Sequence, residues 1–346
     1  MTSGGGIAYI GCYTAEGGGR GEGVAAARRD PETGLLDSVE TVAVTPSPSF
    51  LARHPTLPVL YAVNELAEGT VTAWQIGDRT RLTELAVRDT GGDSPAHLAV
   101  APDGRHLYAA NYASGSVSVH PLDGDGVPAA RSDLVVHDGH GVDPQRQERA
   151  HAHFVIPDGP AVLYAVDLGT DTVYRYELDP AAGRLLPRGR THVRPGTGPR
   201  HLARRPDVER WYLSGELDGS VSVLARGGDG GLEVRDRVAA SERSGHVQPA
   251  EIAVSADGRH LYVSNRGVGT ISVFALDGDG PPVHRAEVSS GGTWPRHFAL
   301  AGDRLYVADE RAHRVTCFAV SAETGVPAPV GEPLEVGSPT CVLPWI

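Results

Sequence analysis

One segment recurs through the whole chain. An apolar stretch of the type Leu-Tyr-Val-Asn carries a tyrosine at Tyr9, Tyr61, Tyr108, Tyr164, Tyr212, Tyr262 and Tyr306, a spacing of about 50 residues, which is the length of a four-stranded propeller blade. The parts of each unit also match. In the second unit, Pro95-Ala96-His97-Leu98-Ala99 leads to the turn Pro102-Asp103-Gly104-Arg105, whose Asp-Gly pair is a hairpin signal. The chain returns through Leu107-Tyr108-Ala109-Ala110-Asn111, turns at Ala113-Ser114-Gly115, and continues as the alternating Val117-Ser118-Val119 before a more variable fourth strand. We call the four strands a, b, c and d. The last unit is split between the two ends of the chain: Pro339-Thr340-Cys341-Val342 supplies its strand a and Ile7-Ala8-Tyr9-Ile10-Gly11 its strand b. The predicted fold is therefore all-β, a seven-bladed β-propeller of four-stranded blades forming a single domain over residues 1–346. Strands from the N- and C-terminal ends share one blade and close the ring, which leaves no sheet edge between the first and last blades.

Composition enters where it excludes partners and chemistry. Formal net charge is -12 with both signs scattered, which argues against nucleic acid or an anionic membrane as partner. No apolar run is long enough to span a bilayer, and Met1-Thr2-Ser3-Gly4-Gly5-Gly6 has neither a basic nor an apolar region, so a cytoplasmic protein without a membrane span is expected. All 31 basic residues are arginine. Schiff-base chemistry and lysine-type phosphate loops are thereby excluded. Cys12, Cys317 and Cys341 have no zinc-like spacing and read as buried small residues in a reducing compartment. Nothing in the sequence sets the oligomeric state.

In an antiparallel blade the start of strand a and the end of strand b lie at the same end of the sheet, so these positions are expected to converge on one mouth of the central channel. The end of strand b repeatedly carries Asn or Asp (Asn64, Asn111, Asp167, Asn265, Asp309), expected as turn residues that bond their own backbone. The third residue of the Pro-x-x unit is histidine at His97, His153, His201 and His297; for His97, His201 and His297 a blade-stabilising role is expected. Other residues at the mouth do not repeat. Glu65, Glu216, Arg200, Arg266 and His151 place charge where the scaffold alone does not require it. An insertion, Val136 to Arg149, makes the Tyr108 to Tyr164 interval the longest of the six and joins strand d to strand a over the same mouth. Long loops in such a place act as lids or binding loops.

These residues resemble a known family. Gln145-Arg146-Gln147 with His151-Ala152-His153, Asp167-Leu168-Gly169-Thr170-Asp171, Gly198-Pro199-Arg200-His201-Leu202, Glu251-Ile252 with Ser255-Ala256-Asp257-Gly258-Arg259, and Leu261-Tyr262-Val263-Ser264-Asn265-Arg266-Gly267 are similar, over essentially the full length, to the lactonase family of seven-bladed propellers. That family includes bacterial 6-phosphogluconolactonases and fungal carboxy-cis,cis-muconate cyclases. The resemblance implies lactone hydrolysis, or its formal reverse, without a metal or organic cofactor, on a small anionic lactone or sugar-phosphate. It places the family's catalytic histidine on His151 or His153, its arginines on Arg200 and Arg266, and its glutamate on Glu216. The chain departs from the family pattern at Ala150, where a proline is usual, at Gly215, where an asparagine is usual, and at Asp309-Glu310, where an amide pair is common.

Lactone hydrolysis needs a water made nucleophilic, a donor for the developing oxyanion and a proton for the leaving alkoxide. No Gly-x-Ser-x-Gly nucleophile motif is present, which favours direct attack by water. The expected roles give His151 the base, with Glu216 orienting it or serving as the alternative base, and Arg200 and Arg266 the oxyanion. Arg146, Arg149 or Arg296 are expected to hold a phosphate or carboxylate by bidentate bonds, and Tyr112, His153, His201 and Glu65 to line the substrate site. Three other readings stand beside this one. They are a cyclase at the same site, a non-catalytic binding propeller, which the 6% aromatic content and charged mouth oppose, and a calcium-dependent lactonase using Glu65, Glu216 and Glu310, which the intervening arginines oppose.

Overall fold

A computed structural model of the chain describes residues 6–345 apart from positions 79, 207, 229 and 279. Its fold is all-β, and among the described residues the only helix is a short 3-10 turn at Ala15–Gly17. Seven antiparallel sheets form the blades of a seven-bladed propeller, each with four strands in order and one carrying a short extra strand. Blade 2 is typical: Pro95–Val100, His106–Asn111, Ser116–Pro121 and Asp133–Val136 are its strands a to d. In blade 7 the strand Pro339–Trp345 pairs antiparallel with Gly6–Cys12, so the two ends of the chain complete one sheet as the split repeat predicts. No helix among the described residues is long and apolar enough to cross a membrane.

By internal packing the chain divides into two compact units, Met1–Val44 with His201–Ala225 and Val234–Ile346, and Thr45–Arg200 with Arg226–Glu233. In the second unit one apolar cluster joins Tyr108, Val117 and Val119 to Val155, Leu163 and Tyr176, and another joins Tyr61 and Val71 to Leu98 and Leu107. Each cluster therefore lies between neighbouring blades. The first unit repeats the pattern with Tyr212, Ile252 and Phe274 in one cluster and Tyr262, Phe298 and Phe318 in another.

The repeated tyrosine has a second function besides bulk. All seven are buried, and a buried phenol needs a hydrogen-bond partner. Tyr61 donates to Gly126 O (2.6 Å), Tyr262 to Gly325 O (2.8 Å) and Tyr306 to Gly34 O (2.6 Å), in each case reaching the c–d turn of the next blade. Those turn glycines have φ of 78°, 70° and 70°, a left-handed conformation that glycine adopts without steric cost.

A further regularity lies at the start of strand a. The register slips between Pro48 and Phe50, Pro95 and His97, Ala152 and Phe154, and Pro295 and His297. Each slip is a β-bulge, which leaves one residue out of the ladder and re-aims side chains. The extra residues are Ser49, Ala96, His153 and Arg296.

The Asn/Asp positions at the end of strand b divide by chemistry. Asp167 and Asp309 accept from the backbone N–H groups of Thr170 (3.0 Å) and Ala312 (3.1 Å), the local turn bonding expected. The asparagines do something else. Asn64 Nδ2 donates to Thr45 Oγ1 and Pro46 O, and Asn265 Nδ2 to Ser272 Oγ and Ala240 O. An amide has donors that a carboxylate lacks, so it reaches back to the d–a connection and across to strand c.

Candidate active site

In the unit that holds blades 1 to 3, the inserted loop is built around Gln147, which is fully buried. Its Nε2 donates to Leu168 O (2.8 Å), and its Oε1 accepts from the N–H groups of Val142 and Asp143 (3.1 and 3.2 Å). The loop then passes so close to Gly169 that a Cβ there would lie 1.9 Å from Arg149 O. Only glycine fits. At the end of the loop the His151 N–H donates to Asp167 Oδ1 (2.9 Å), and Asp167 Oδ2 is 2.6 Å from His137 Nδ1.

These contacts fix the His151 ring. It stacks on Tyr112 with centroids 4.6 Å apart and planes 19° from parallel. Nδ1 is 3.0 Å from Tyr112 O and Nε2 is 3.1 Å from Glu148 Oε2. A carbonyl oxygen and a carboxylate can only accept, so each ring nitrogen faces an acceptor. The His151 bond is the largest of the influences that hold the Glu148 carboxyl below the usual carboxylate range. Both nitrogens of His151 are thus engaged, one by a backbone carbonyl and one by a carboxylate. The chemistry it offers is that of a Glu–His couple.

The structure brings four of the expected residues together here. Tyr112 OH accepts from Arg146 Nη2 (3.3 Å), and the His153 ring meets the Tyr112 ring edge-on at 5.6 Å. Arg149 does not join them: two-thirds exposed, it pairs with Glu148 Oε1 at 3.3 Å. His97 sits between Phe50 and Phe154, with centroids at 4.2 and 4.0 Å, and its Nδ1 accepts from Val155 N of the next blade, a scaffold position. Glu65 is half-buried at the end of strand b of blade 1, and Arg200 is buried at the start of strand a of blade 4.

The other unit holds a charged cluster of its own. Arg266 Nη2 donates to Glu216 Oε2 at 2.7 Å, with side chains only 5% and 3% exposed. Gln248 Nε2 donates to Glu216 Oε1 (2.9 Å), and Arg266 also reaches Gln248 O and Pro249 O, each at 3.3 Å. Burial lowers the Arg266 pKa, and Glu216 is the largest influence opposing it. A guanidinium remains protonated in proteins, so this is a fixed buried cation. Its Cζ lies 5.4 Å from the centre of the Trp294 ring. Arg296, on the blade 6 bulge, donates to Tyr13 OH (2.5 Å) and lies 3.5 Å from Glu310 Oε2. Glu251 Oε2 lies 3.1 Å from His201 Nδ1 and 3.3 Å from His297 Nε2, and His297 Nδ1 accepts from Val342 N of the next blade.

Among the described residues no group of three His, Cys, Asp or Glu side chains is gathered as metal ligands would be. The sequence profile of the family described as "Lactonase, 7-bladed beta-propeller" matches residues 7–344. The chain belongs to this lactonase family. Among its lactonase relatives, the 6-phosphogluconolactonase of Bacillus subtilis (strain 168) is 32% identical over 347 residues, 97% of each chain. That of Formosa agariphila is 28% identical, covering 85% of this chain and 86% of the relative. The periplasmic gluconolactonase of Pseudomonas aeruginosa superposes with a TM-score of 0.91 at 32% identity over 99% of both chains.

Some partners of the expected residues carry no signal in the repeat. Glu148, Gln248 and Trp294 carry contacts with no counterpart in the repeat, whereas Gln147 lies in the Gln145-Arg146-Gln147 motif. Arg311, whose guanidinium lies over the Trp294 ring, is two residues beyond Asp309, the end of strand b of blade 6.

Proposed function

We propose that the protein hydrolyses the lactone of a sugar acid, with 6-phosphogluconolactone as its substrate. The observation that carries the reading is Arg266: a buried guanidinium, oriented by Glu216 and by two backbone carbonyls, is the preorganised cation that a developing oxyanion requires. Full-length similarity to 6-phosphogluconolactonases supports it. The other roles follow from chemistry. Water adds to the lactone carbonyl carbon and gives its proton to the Glu148 carboxylate, while the carbonyl electrons move to an oxygen stabilised by Arg266 and Arg200. The tetrahedral intermediate then collapses. The ring C–O bond breaks, the leaving alkoxide takes the Nε2 proton of His151, and the proton on Glu148 passes to His151 and restores the couple. Glu216 orients Arg266, while Tyr112, Arg146 and His153 position the couple. Glu65, His201 and Arg296 complete the substrate-binding set. Arginine pairing of Glu216 and Glu310 favours catalysis without a metal. Three buried free thiols, with Cys317 pushed up to about 11 by burial, suit a reducing, cytoplasmic setting.

The test is an assay on freshly formed 6-phosphogluconolactone against its spontaneous opening, with the wild type and the His151→Ala and Arg200→Ala variants. The wild type is expected to accelerate opening, and each variant to lose about 100-fold or more. No acceleration by the wild type refutes the reading. Unchanged rates in both variants refute the assignment.

A further inference from the structure

Every arginine the sequence suggested for a substrate phosphate is already engaged: Arg146 with Tyr112 OH, Arg149 with Glu148, and Arg296 with Tyr13 OH and Glu310. Arg311 is not. It is exposed, and no acceptor lies against it among the described residues. Its guanidinium carbon sits 3.4 Å over the centre of the Trp294 ring, a distance at which the planar group lies flat on the indole. Flat stacking covers the face of the guanidinium and leaves its N–H donors, which lie in the plane, directed outward. The position is also fixed from below. Trp294 N donates to Asp309 (3.1 Å), and Glu310 N donates to Trp294 O (3.2 Å), so ring and arginine are carried by adjacent, bonded backbone.

We infer that Arg311, held flat on Trp294, is the specificity residue that takes the phosphate of the substrate. The inference rests on the lactonase reading and extends it. Arg266 and Arg311 lie within 5.4 and 3.4 Å of the centre of the same indole, which sets one buried cation for the oxyanion and one open cation for the phosphate within the span of a single sugar acid. A phosphate offers the paired acceptor oxygens that a guanidinium fork binds bidentately, and stacking lowers the ordering cost of a long side chain. An unphosphorylated lactone has nothing for Arg311 to hold.

The experiment compares kcat/KM for 6-phosphogluconolactone and for gluconolactone in the wild type, Arg311→Gln and Arg311→Lys. The glutamine variant is expected to lower the ratio of the two values by about tenfold or more, chiefly through KM for the phosphorylated lactone, and lysine to restore part of it. Equal losses on both substrates, no change in the ratio, or a fall in kcat with KM unaltered would overturn the inference while leaving the lactonase reading intact. If the wild type opens neither lactone faster than water does, the lactonase reading fails and takes this inference with it. Should the wild type act on the phosphorylated lactone alone, the KM against kcat split decides.

Discussion

Replacing Glu216 with leucine should cost about 3–5 kcal/mol of folding stability. The geometry sets this figure. Arg266 is 5% exposed, so its charge has almost no access to water once the carboxylate is gone. The acceptors that remain, Gln248 O and Pro249 O, are long contacts at 3.3 Å and carry no full charge. Gln248 Nε2 loses its 2.9 Å acceptor in the same step, adding a second buried group without a partner. Such a loss is a large fraction of the total stability of a typical protein. Glu216→Gln keeps an acceptor of similar shape and should lose less. The double variant Glu216→Leu with Arg266→Leu removes both charges, and a buried ion pair replaced by apolar groups is close to neutral, so most of the loss should return while activity does not. Urea unfolding followed by circular dichroism measures all three, with the midpoint reporting stability and the slope checking that the transition is unchanged. The reasoning is refuted if the single leucine variant loses less than about 1 kcal/mol, or if the double variant is no more stable than the single one.

Glu148→Gln should loosen the inserted loop, seen as faster hydrogen exchange at residues 141–149 at pH 7, and should lower activity by at least about tenfold because the couple loses its accepting carboxylate. Because the Glu148 pKa is lowered in the folded state, its contribution is fully present above the ordinary carboxylate range and is lost as pH falls through the depressed value; the wild-type loop should therefore loosen only in acid, and a loop equally protected in the variant would show that the Glu148–His151 contact does not hold it. Tyr61→Phe deletes the bond to Gly126 O and should cost about 1 kcal/mol in urea unfolding with kcat/KM unchanged; a silent change would mean that the repeated phenol contributes bulk alone.

The blades were legible in the sequence because the same physical need arises seven times. Each blade must fill the space against its neighbour and satisfy a buried phenol, so tyrosine recurs and its spacing reports the architecture. The charged site was legible only as departures from that repetition. His151, Arg200, Glu216 and Arg266 stand out because no blade needs them. Their partners did not stand out. Glu148 reaches His151 through a loop whose path depends on Gln147 and on the absence of a side chain at Gly169, and nothing in the local pattern encodes that path. The same holds for His151 itself: histidine suggested a base, but the identity of a residue does not reveal that both its nitrogens face acceptors. Trp294 and Arg311 are far enough apart in sequence that only the fold makes them a stacked pair.

The bulge at the start of strand a has a consequence for how such a scaffold acquires new chemistry. A residue squeezed out of the ladder makes no pairing that its side chain must respect. Serine, alanine, histidine and arginine occupy this place in blades 1, 2, 3 and 6, four side chains with no common size, charge or shape. The sheet treats them as interchangeable. The choice at Ser49, Ala96, His153 and Arg296 is therefore set by what each side chain meets beyond the ladder rather than by strand pairing: the first three are buried, and Arg296 bonds Tyr13 OH and Glu310.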